Sequence, residues 1–359
     1  PRLSSHTYLS LDDFDLRAQT QSHPEAAVQR APRLILDEVQ RSRDLLIAVK
    51  RAVDTDPQRL RGRFVLTGSA NLLMLQTVSE TLAGRAVYVN LWPFTRRERL
   101  GRGRAGLWTE LLGARAADRR EMLVSDAAAP EDWRQAARRG GLPVPALELG
   151  DQPARDLWYS GYVQTYLERD LQELSSIAAL PDFRRLMRAA CLRLGQLVNQ
   201  TELGREVSLP QPTVHRYLNL LVTSLLLVRL PAYAVNRTKR LIKSPKLYWG
   251  DTGVALHLAG GVEPSGPHLE NLVLLDLLAW RDSRLDLADV LYWRTATGEE
   301  VDLVIEAGGR LLPIEIKATS RPRLADAKHL RAFRAEYGGV CRAGLLLHAG
   351  TSLEWIAPD

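Results

Sequence analysis

The chain has 359 residues, of which 45% are hydrophobic and 25% charged, an ordinary globular balance that excludes intrinsic disorder and, at roughly 150 residues per domain, leaves room for two or three domains. Its two cysteines, Cys191 and Cys341, lie far apart and its seven histidines are scattered, which excludes a disulfide framework and a CxxC zinc site. Lys and Arg number 48 against 42 acids, a net charge of +6. The longest apolar stretch, around Leu218 to Leu230, is broken by Thr223, Ser224 and Arg229 and is too short to span a bilayer. No secretory signal opens the sequence, so a cytoplasmic, multidomain protein without a membrane partner is expected.

In chain order, residues 1–95 read as α/β. Thr7–Leu11 is a short strand ending in Asp12-Asp13; Arg33–Leu36 is an apolar strand ending in Asp37-Glu38. Leu45–Val53 is helical, and Arg63–Leu66 is a strand ending in Thr67-Gly68-Ser69. Strands alternating with helices imply a parallel sheet with its functional groups at the strands' carboxyl ends. Residues 96–190 carry Ala, Arg and Leu at helical spacing, broken at Gly140-Gly141-Leu142-Pro143. Residues 191–255 hold two short helices and an alternating basic segment. Residues 265–282 form a helix, and Val290–Arg294, Val301–Ile305 and Leu311–Lys317 read as strands.

Leu34-Ile35-Leu36-Asp37-Glu38 delivers two acids to the tip of a buried strand. In a P-loop ATPase the first such acid holds Mg²⁺ through water and the second polarises the attacking water. Thr67 to Asn71 adds a polar cluster at the next strand's tip, which is equally an ordinary strand-to-helix turn capped by Ser69 or Asn71.

Four segments here, LILDEVQ (34–40), LLIAVKRAVD (45–54), FVLTGSANLLM (64–74) and LAGRAVYVNLWPFTRRE (82–98), resemble a bacterial and archaeal family of AAA+ ATPases with a C-terminal domain of unknown function. YLERDL (166–171), VHRYLNLL (214–221), KRLIKSPKLYWGDTG (239–253) and WRTATGEEVDL (293–303) extend the likeness over nearly the whole chain. The resemblance implies ATP and Mg²⁺ as cofactors, Asp37 as the Mg²⁺-linked acid, Glu38 as the catalytic base and Thr67 as the sensor. Arg85 would reach the nucleotide of a neighbouring subunit in a homo-oligomer, Arg169 being a second candidate; a surface ion pair is the competing role for Arg85. The family opens with G-x-x-x-x-G-K-[ST], whose amides and Lys cradle the phosphates, and no such string occurs in these 359 residues. With Pro1 as first residue, the expectation is that this segment lies upstream; a degenerate ATPase is the alternative.

The excess charge is local. Residues 191–250 hold nine basic side chains against Glu202 and Glu206, a net of +7, while the rest of the chain carries 39 basic and 40 acidic residues. Such a segment suits a polyanion or is simply a solvated surface. Thr201–Val207, a turn at Ser208-Leu209-Pro210 and Gln211–Leu221 read as helix-turn-helix, with Val214, Tyr217, Leu218 and Leu221 buried and Thr213 and Arg216 free to meet a groove. Asn236 to Lys243 resembles the charged wing of a winged helix, in extended form, with Arg237, Lys239, Arg240 and Lys243 as phosphate contacts. Winged helices also dock proteins and serve as AAA+ lids.

Near the C-terminus Asp302 sits on one strand and Glu315-Ile316-Lys317 on the next. Strand alternation puts Glu315 and Lys317 on one face, and adjacent strands would set Asp302 beside Glu315 as a pair able to hold Mg²⁺. Glu270 on the preceding helix would add to the group, and Lys317 would orient or activate water. The pattern resembles the PD-(D/E)xK nuclease fold; a solvated hairpin face is the competing reading.

The expected architecture is thus α/β multidomain: an AAA+ parallel sheet lacking its P-loop over 1–95, a helical lid over 96–190, a winged helix over 191–255 and a PD-(D/E)xK-like α/β domain over 256–359. The expected function is ATP hydrolysis coupled to action on DNA. A nucleotide-switched, non-catalytic DNA-binding regulator and a protein-remodelling ATPase are the alternatives.

Overall fold

The computed structural model describes residues 5–58, 60–68, 81–102, 106–167 and 179–357. Ser69, Asn71 and Arg169 lie outside the described residues, as does the side chain of Arg237. The chain divides into two compact units, Pro1–Tyr88 and Val89–Asp359.

In the first unit, strands β1 (Thr7–Ser10), β2 (Leu34–Asp37) and β3 (Phe64–Leu66) form a parallel sheet with β2 in the middle. Between β1 and β2 run helices α1 (Phe14–Ser22) and α2 (Pro24–Val28), neither of which is evident from the sequence pattern. Helix α3 (Arg43–Asp54) starts where the Ser42 hydroxyl accepts from the Leu45 amide, satisfying one donor of the first turn. Its apolar stripe of Leu45, Leu46, Ala48 and Val49 is buried in one cluster with Leu34 and Leu36 of β2. That burial fixes the strand whose tip carries Asp37.

The second unit opens with helices α4 (Arg96–Arg99), α5 (Trp108–Gly113), α6 (Ala116–Ser125), α7 (Trp133–Arg139), α8 (Pro143–Leu147), α9 (Gln152–Gly161) and α10 (Leu180–Leu192). Helices α11 (Gln200–Glu206) and α12 (Gln211–Thr223) follow, Pro212 occupying the first turn of α12, where a missing N–H costs little. Val214, Tyr217, Leu218 and Leu221 are buried as their spacing requires, and Phe183 meets the Tyr217 ring edge-on at 5.1 Å.

Strands β4 (Leu227–Leu230) and β5 (Lys246–Trp249) then pair antiparallel. The segment between them corrects the sequence-based expectation: residues expected to be an extended wing form helix α13 (Arg237–Ile242). The Asn236 side chain accepts from the Thr238 amide and caps this helix, and Lys, Arg and Leu are better helix formers than strand formers.

Helices α14 (Thr252–Leu258) and α15 (Gly266–Asp282) lead into a four-stranded sheet, β6 (Ala288–Arg294), β7 (Glu300–Ala307), β8 (Arg310–Lys317) and β9 (Leu345–His348), in that order. The first three strands are antiparallel; β9 returns parallel to β8 after helix α16 (Lys328–Tyr337). Trp293 and Phe333 meet edge-on at 5.3 Å in the core beneath β7. The elements expected from sequence end at Lys317 and include neither α16 nor β9.

Candidate functional site

In the first unit Asp37 ends the central strand. Its Oδ2 accepts from Tyr8 Oη at 2.6 Å and its Oδ1 from Thr67 Oγ1 at 2.7 Å, so side chains from β1 and from the end of β3 converge on one carboxylate. The Tyr8 and Thr67 hydroxyls hold Asp37 below the usual carboxylate range, which keeps it anionic. Glu38 follows in the left-handed region at φ 56°, a conformation that costs a non-glycine residue energy and that recurs at functional sites. Its Oε2 accepts from the Gln40 amide group, with Arg41 Nε 4.0 Å away. Arg85 makes an ion pair with Asp54, its Nε 2.5 Å and its Nη2 3.1 Å from the two carboxylate oxygens.

The C-terminal cluster assembles from four elements. The register of β7 and β8, Leu303 opposite Ile314, sets Asp302 one step further along, across from Glu315. Lys317 Nζ donates to Glu315 Oε1 at 2.6 Å, so these two side chains share a face, as alternation required. Asp302 Oδ2 accepts from the Ile316 amide at 2.8 Å. From α15, Glu270 Oε2 accepts from Tyr248 Oη at 2.8 Å, while the next residue, Asn271, exchanges two 2.8 Å hydrogen bonds with the main chain of Trp249. That clamp ties α15 to β5 and fixes where Glu270 stands.

Sequence reasoning missed Lys246, counted only as part of the basic surface. Its side chain is 3% exposed and its Nζ lies 2.5 Å from Glu300 and 3.9 Å from Asp302. A lysine is buried this deeply only beside acids, and its place at the start of an otherwise apolar KLYW strand was the available signal.

The group is electrostatically crowded. Burial, then the Asp302 charge, pushes Glu270 up to about 7 and Glu315 likewise up to about 7. Burial also raises Asp302, although Lys246 opposes it. Burial lowers Lys317, but the Glu315 and Asp302 carboxylates outweigh it and the ammonium ends above its ordinary range. Glu315 Oε2 is buried without a hydrogen-bond partner. Among the described residues, no three His, Cys, Asp or Glu side chains are arranged to hold a metal ion. Asp302, Glu315 and Glu270, expected to share one, are therefore not a ready cage here: each carboxylate is drawn to a different protein donor.

The basic module is less exposed than its charge suggested. Arg193 bonds Glu206 and Glu202, and Arg229 bonds Asn219. Arg240, expected to face phosphates, is 9% exposed and turned inward: it pairs with Glu306, its Nη2 at 3.1 Å, and lies over the Tyr233 ring at 4.9 Å. Arg205, Arg216, Lys239 and Lys243 remain exposed, and Thr213 is half-buried. Arg216 rests over the Tyr217 ring and Lys243 Nζ donates to the Arg294 carbonyl at 3.3 Å.

Among the described residues no helix is long and apolar enough to cross a membrane. Residues 2–100 match the model of an AAA domain, 130–265 a domain of unknown function (DUF8612) and 265–357 another domain of unknown function (DUF4143). Uncharacterized proteins of Mycobacterium tuberculosis and Mycobacterium bovis are each 32% identical over 301 residues, covering 81% of this chain and 60% of the relative. An uncharacterized protein of Haemophilus influenzae is 21% identical over 258 residues, covering 70% of this chain and 58% of its own length. The chain thus spans about 60% of the length of these curated relatives. No solved structure matches. By these matches the chain is similar to AAA-type, ATPase-like proteins that end in a domain of unknown function.

Proposed function

We propose that this protein hydrolyses ATP and acts on DNA, through a winged-helix module in residues 191–255 and a PD-(D/E)xK-like domain in residues 256–359. The observation that carries the DNA half is the meeting of Asp302, Glu315 and Lys317 on neighbouring strands with Glu270 from α15. Phosphodiester chemistry at such a site needs acids to hold a divalent cation and a Lys to orient or activate water.

In the ATPase half, the tip of β2 suits Mg²⁺ held through water, because Asp37 is kept anionic by its two hydroxyl partners. Mg²⁺ there would neutralise phosphate charge. Glu38 would take the proton of the attacking water, and Thr67 would hold Asp37 in register. Arg85 would serve a neighbouring protomer of a homo-oligomer once released from Asp54.

Mg²⁺ at the C-terminal acids would have to draw them from their present protein donors; Glu315 keeps one buried oxygen without a partner, and burial, then the Asp302 charge, holds Glu270 and Glu315 up to about 7. Lys246 favours a second reading, a DNA-binding platform that does not cleave. An internal ammonium beside Glu300 and Asp302 already answers part of the negative charge that a cation would otherwise answer.

The test is on the natural protein with Mg²⁺ and ATP: Glu38→Gln should retain ATP and lose turnover, and unchanged turnover would remove Glu38 from the mechanism. Duplex DNA binding that falls steeply with salt separates action on DNA from remodelling of a protein partner. Absence of DNA binding at low salt would overturn the DNA half.

A further inference from the structure

We propose that the cavity lined by α6, α16, β9 and residues 350–357 is a binding site for a small organic monoanion, a carboxylate on an aliphatic body. The cavity measures about 310 Å³, the lower end of the range that holds small molecules. Its walls are mostly apolar, with Leu123, Leu330, Leu346 and Trp355 among them, which suits a hydrocarbon body rather than a sugar or nucleotide.

The charge of the occupant follows from Arg119. This lining residue is 4% exposed; its Nε donates to the Leu111 carbonyl at 2.9 Å, and its Nη1 is buried with no hydrogen-bond partner. A guanidinium does not shed its proton, so a buried one without a carboxylate carries a desolvation cost that an incoming anion would remove. Arg120 adds a further guanidinium group to the lining, and among the described lining residues the acid is Glu354. Nε of Arg119 is engaged and its Nη1 is buried without a partner, which leaves one nitrogen for an anion to satisfy, while Arg120 and Arg331 are exposed to water. One carboxylate, rather than a phosphate that calls for several buried donors, matches that geometry. The cavity is built from α6, α16, β9 and the C-terminal segment, and takes no residue from the acid cluster at Asp302.

The test is calorimetric titration of the 359-residue protein with octanoate, octanol and inorganic phosphate. Octanoate should bind at least about tenfold more tightly than octanol, the effect of one charge-assisted hydrogen bond, and phosphate should bind more weakly than octanoate. Arg119→Met, which keeps length and removes charge, should bring octanoate down to the octanol level while leaving octanol unchanged. Leu123→Trp at a half-buried wall position should fill the cavity and abolish binding of both, which keeps the proposal testable if Arg119→Met does not fold. Equal affinity for octanoate and octanol, no octanoate binding, tighter binding of phosphate, or an unchanged Arg119→Met protein would each overturn it.

Discussion

Tyr248 Oη donates to Glu270 Oε2 at 2.8 Å, so strand β5 also sets one of the acids of the C-terminal cluster. Glu270 is held in its neutral form up to about 7 by burial and by the Asp302 charge, against an ordinary 4.5. Between those values the folded state keeps a proton that the unfolded chain has released. Folding stability therefore falls as the pH rises from 4.5 to about 7 and levels off above. Glu270→Gln removes this loss. Relative to wild type, the variant should gain roughly 1–3 kcal/mol on going from pH 4.5 to pH 8, measured by urea unfolding at both values. The same offset at both pH values would show that Glu270 is not held protonated.

A second prediction concerns the break at 140–143 and the GDTG string at 250–253. Buried Asp251 accepts from the amides of Gly141 at 2.7 Å, Leu142 at 3.2 Å and Val254 at 2.9 Å, and Tyr159 Oη donates to the Arg139 carbonyl. A Cβ on Gly253 would stand 2.1 Å from Tyr159 Oη and 3.0 Å from the Arg138 carbonyl. Gly253→Ala should cost roughly 2–4 kcal/mol by chemical denaturation. A loss under about 0.5 kcal/mol, the scale of a neutral surface substitution, would show that the turn yields.

Part of this was legible. Asp37 and Glu38 at a strand tip, and the shared face of Glu315 and Lys317, follow from apolar runs and the two-residue period, which are local. The reading of 236–243 as strand failed because a cap on Asn236, not alternation, decides a six-residue element. Lys246 and Arg240 were counted as surface charge because their partners, Glu300 and Glu306, lie some 54 to 66 positions away in sequence. A charge count cannot distinguish a cation facing solvent from one neutralised inside. Strand β9 was missed because Leu345–His348 is a four-residue run whose strand character depends on pairing with β8.

That correction sharpens the DNA-binding prediction, since among the described side chains the exposed cations are Arg205, Arg216, Lys239 and Lys243. Reversing Arg216, Lys239 and Lys243 to Glu should weaken duplex binding for all sequences alike, because phosphate recognition carries no base code. The slope of log affinity against log salt should become shallower by roughly 2–3, at about 0.9 for each phosphate no longer neutralised. Arg240→Glu should instead destabilise the fold by breaking the pair with Glu306. Unchanged affinity in the folded triple variant would make the module a docking or lid element.

The last prediction separates cleavage from mere binding at the acid cluster. If Asp302 and Glu315 hold a divalent cation, Mg²⁺ or Mn²⁺ should support nicking of supercoiled DNA by the 359-residue protein without added ATP. The acids involved are a set apart from Asp37 and Glu38. Asp302→Ala and Lys317→Ala should each abolish the nicking, and equal residual activity in wild type and Asp302→Ala would mark a contaminant. Lys246 makes the outcome diagnostic in a second way, because its ammonium lies 3.9 Å from Asp302 and competes with a cation for that carboxylate. Lys246→Met should therefore strengthen Mn²⁺ binding, read as a larger rise in melting temperature on adding Mn²⁺ at pH 8. Should the wild type fail to nick while Lys246→Met gains both metal binding and nicking, the cluster is a cleavage site held closed by its own lysine. Should neither protein nick nor bind Mn²⁺, the cluster is not a metal site and the domain is not a nuclease.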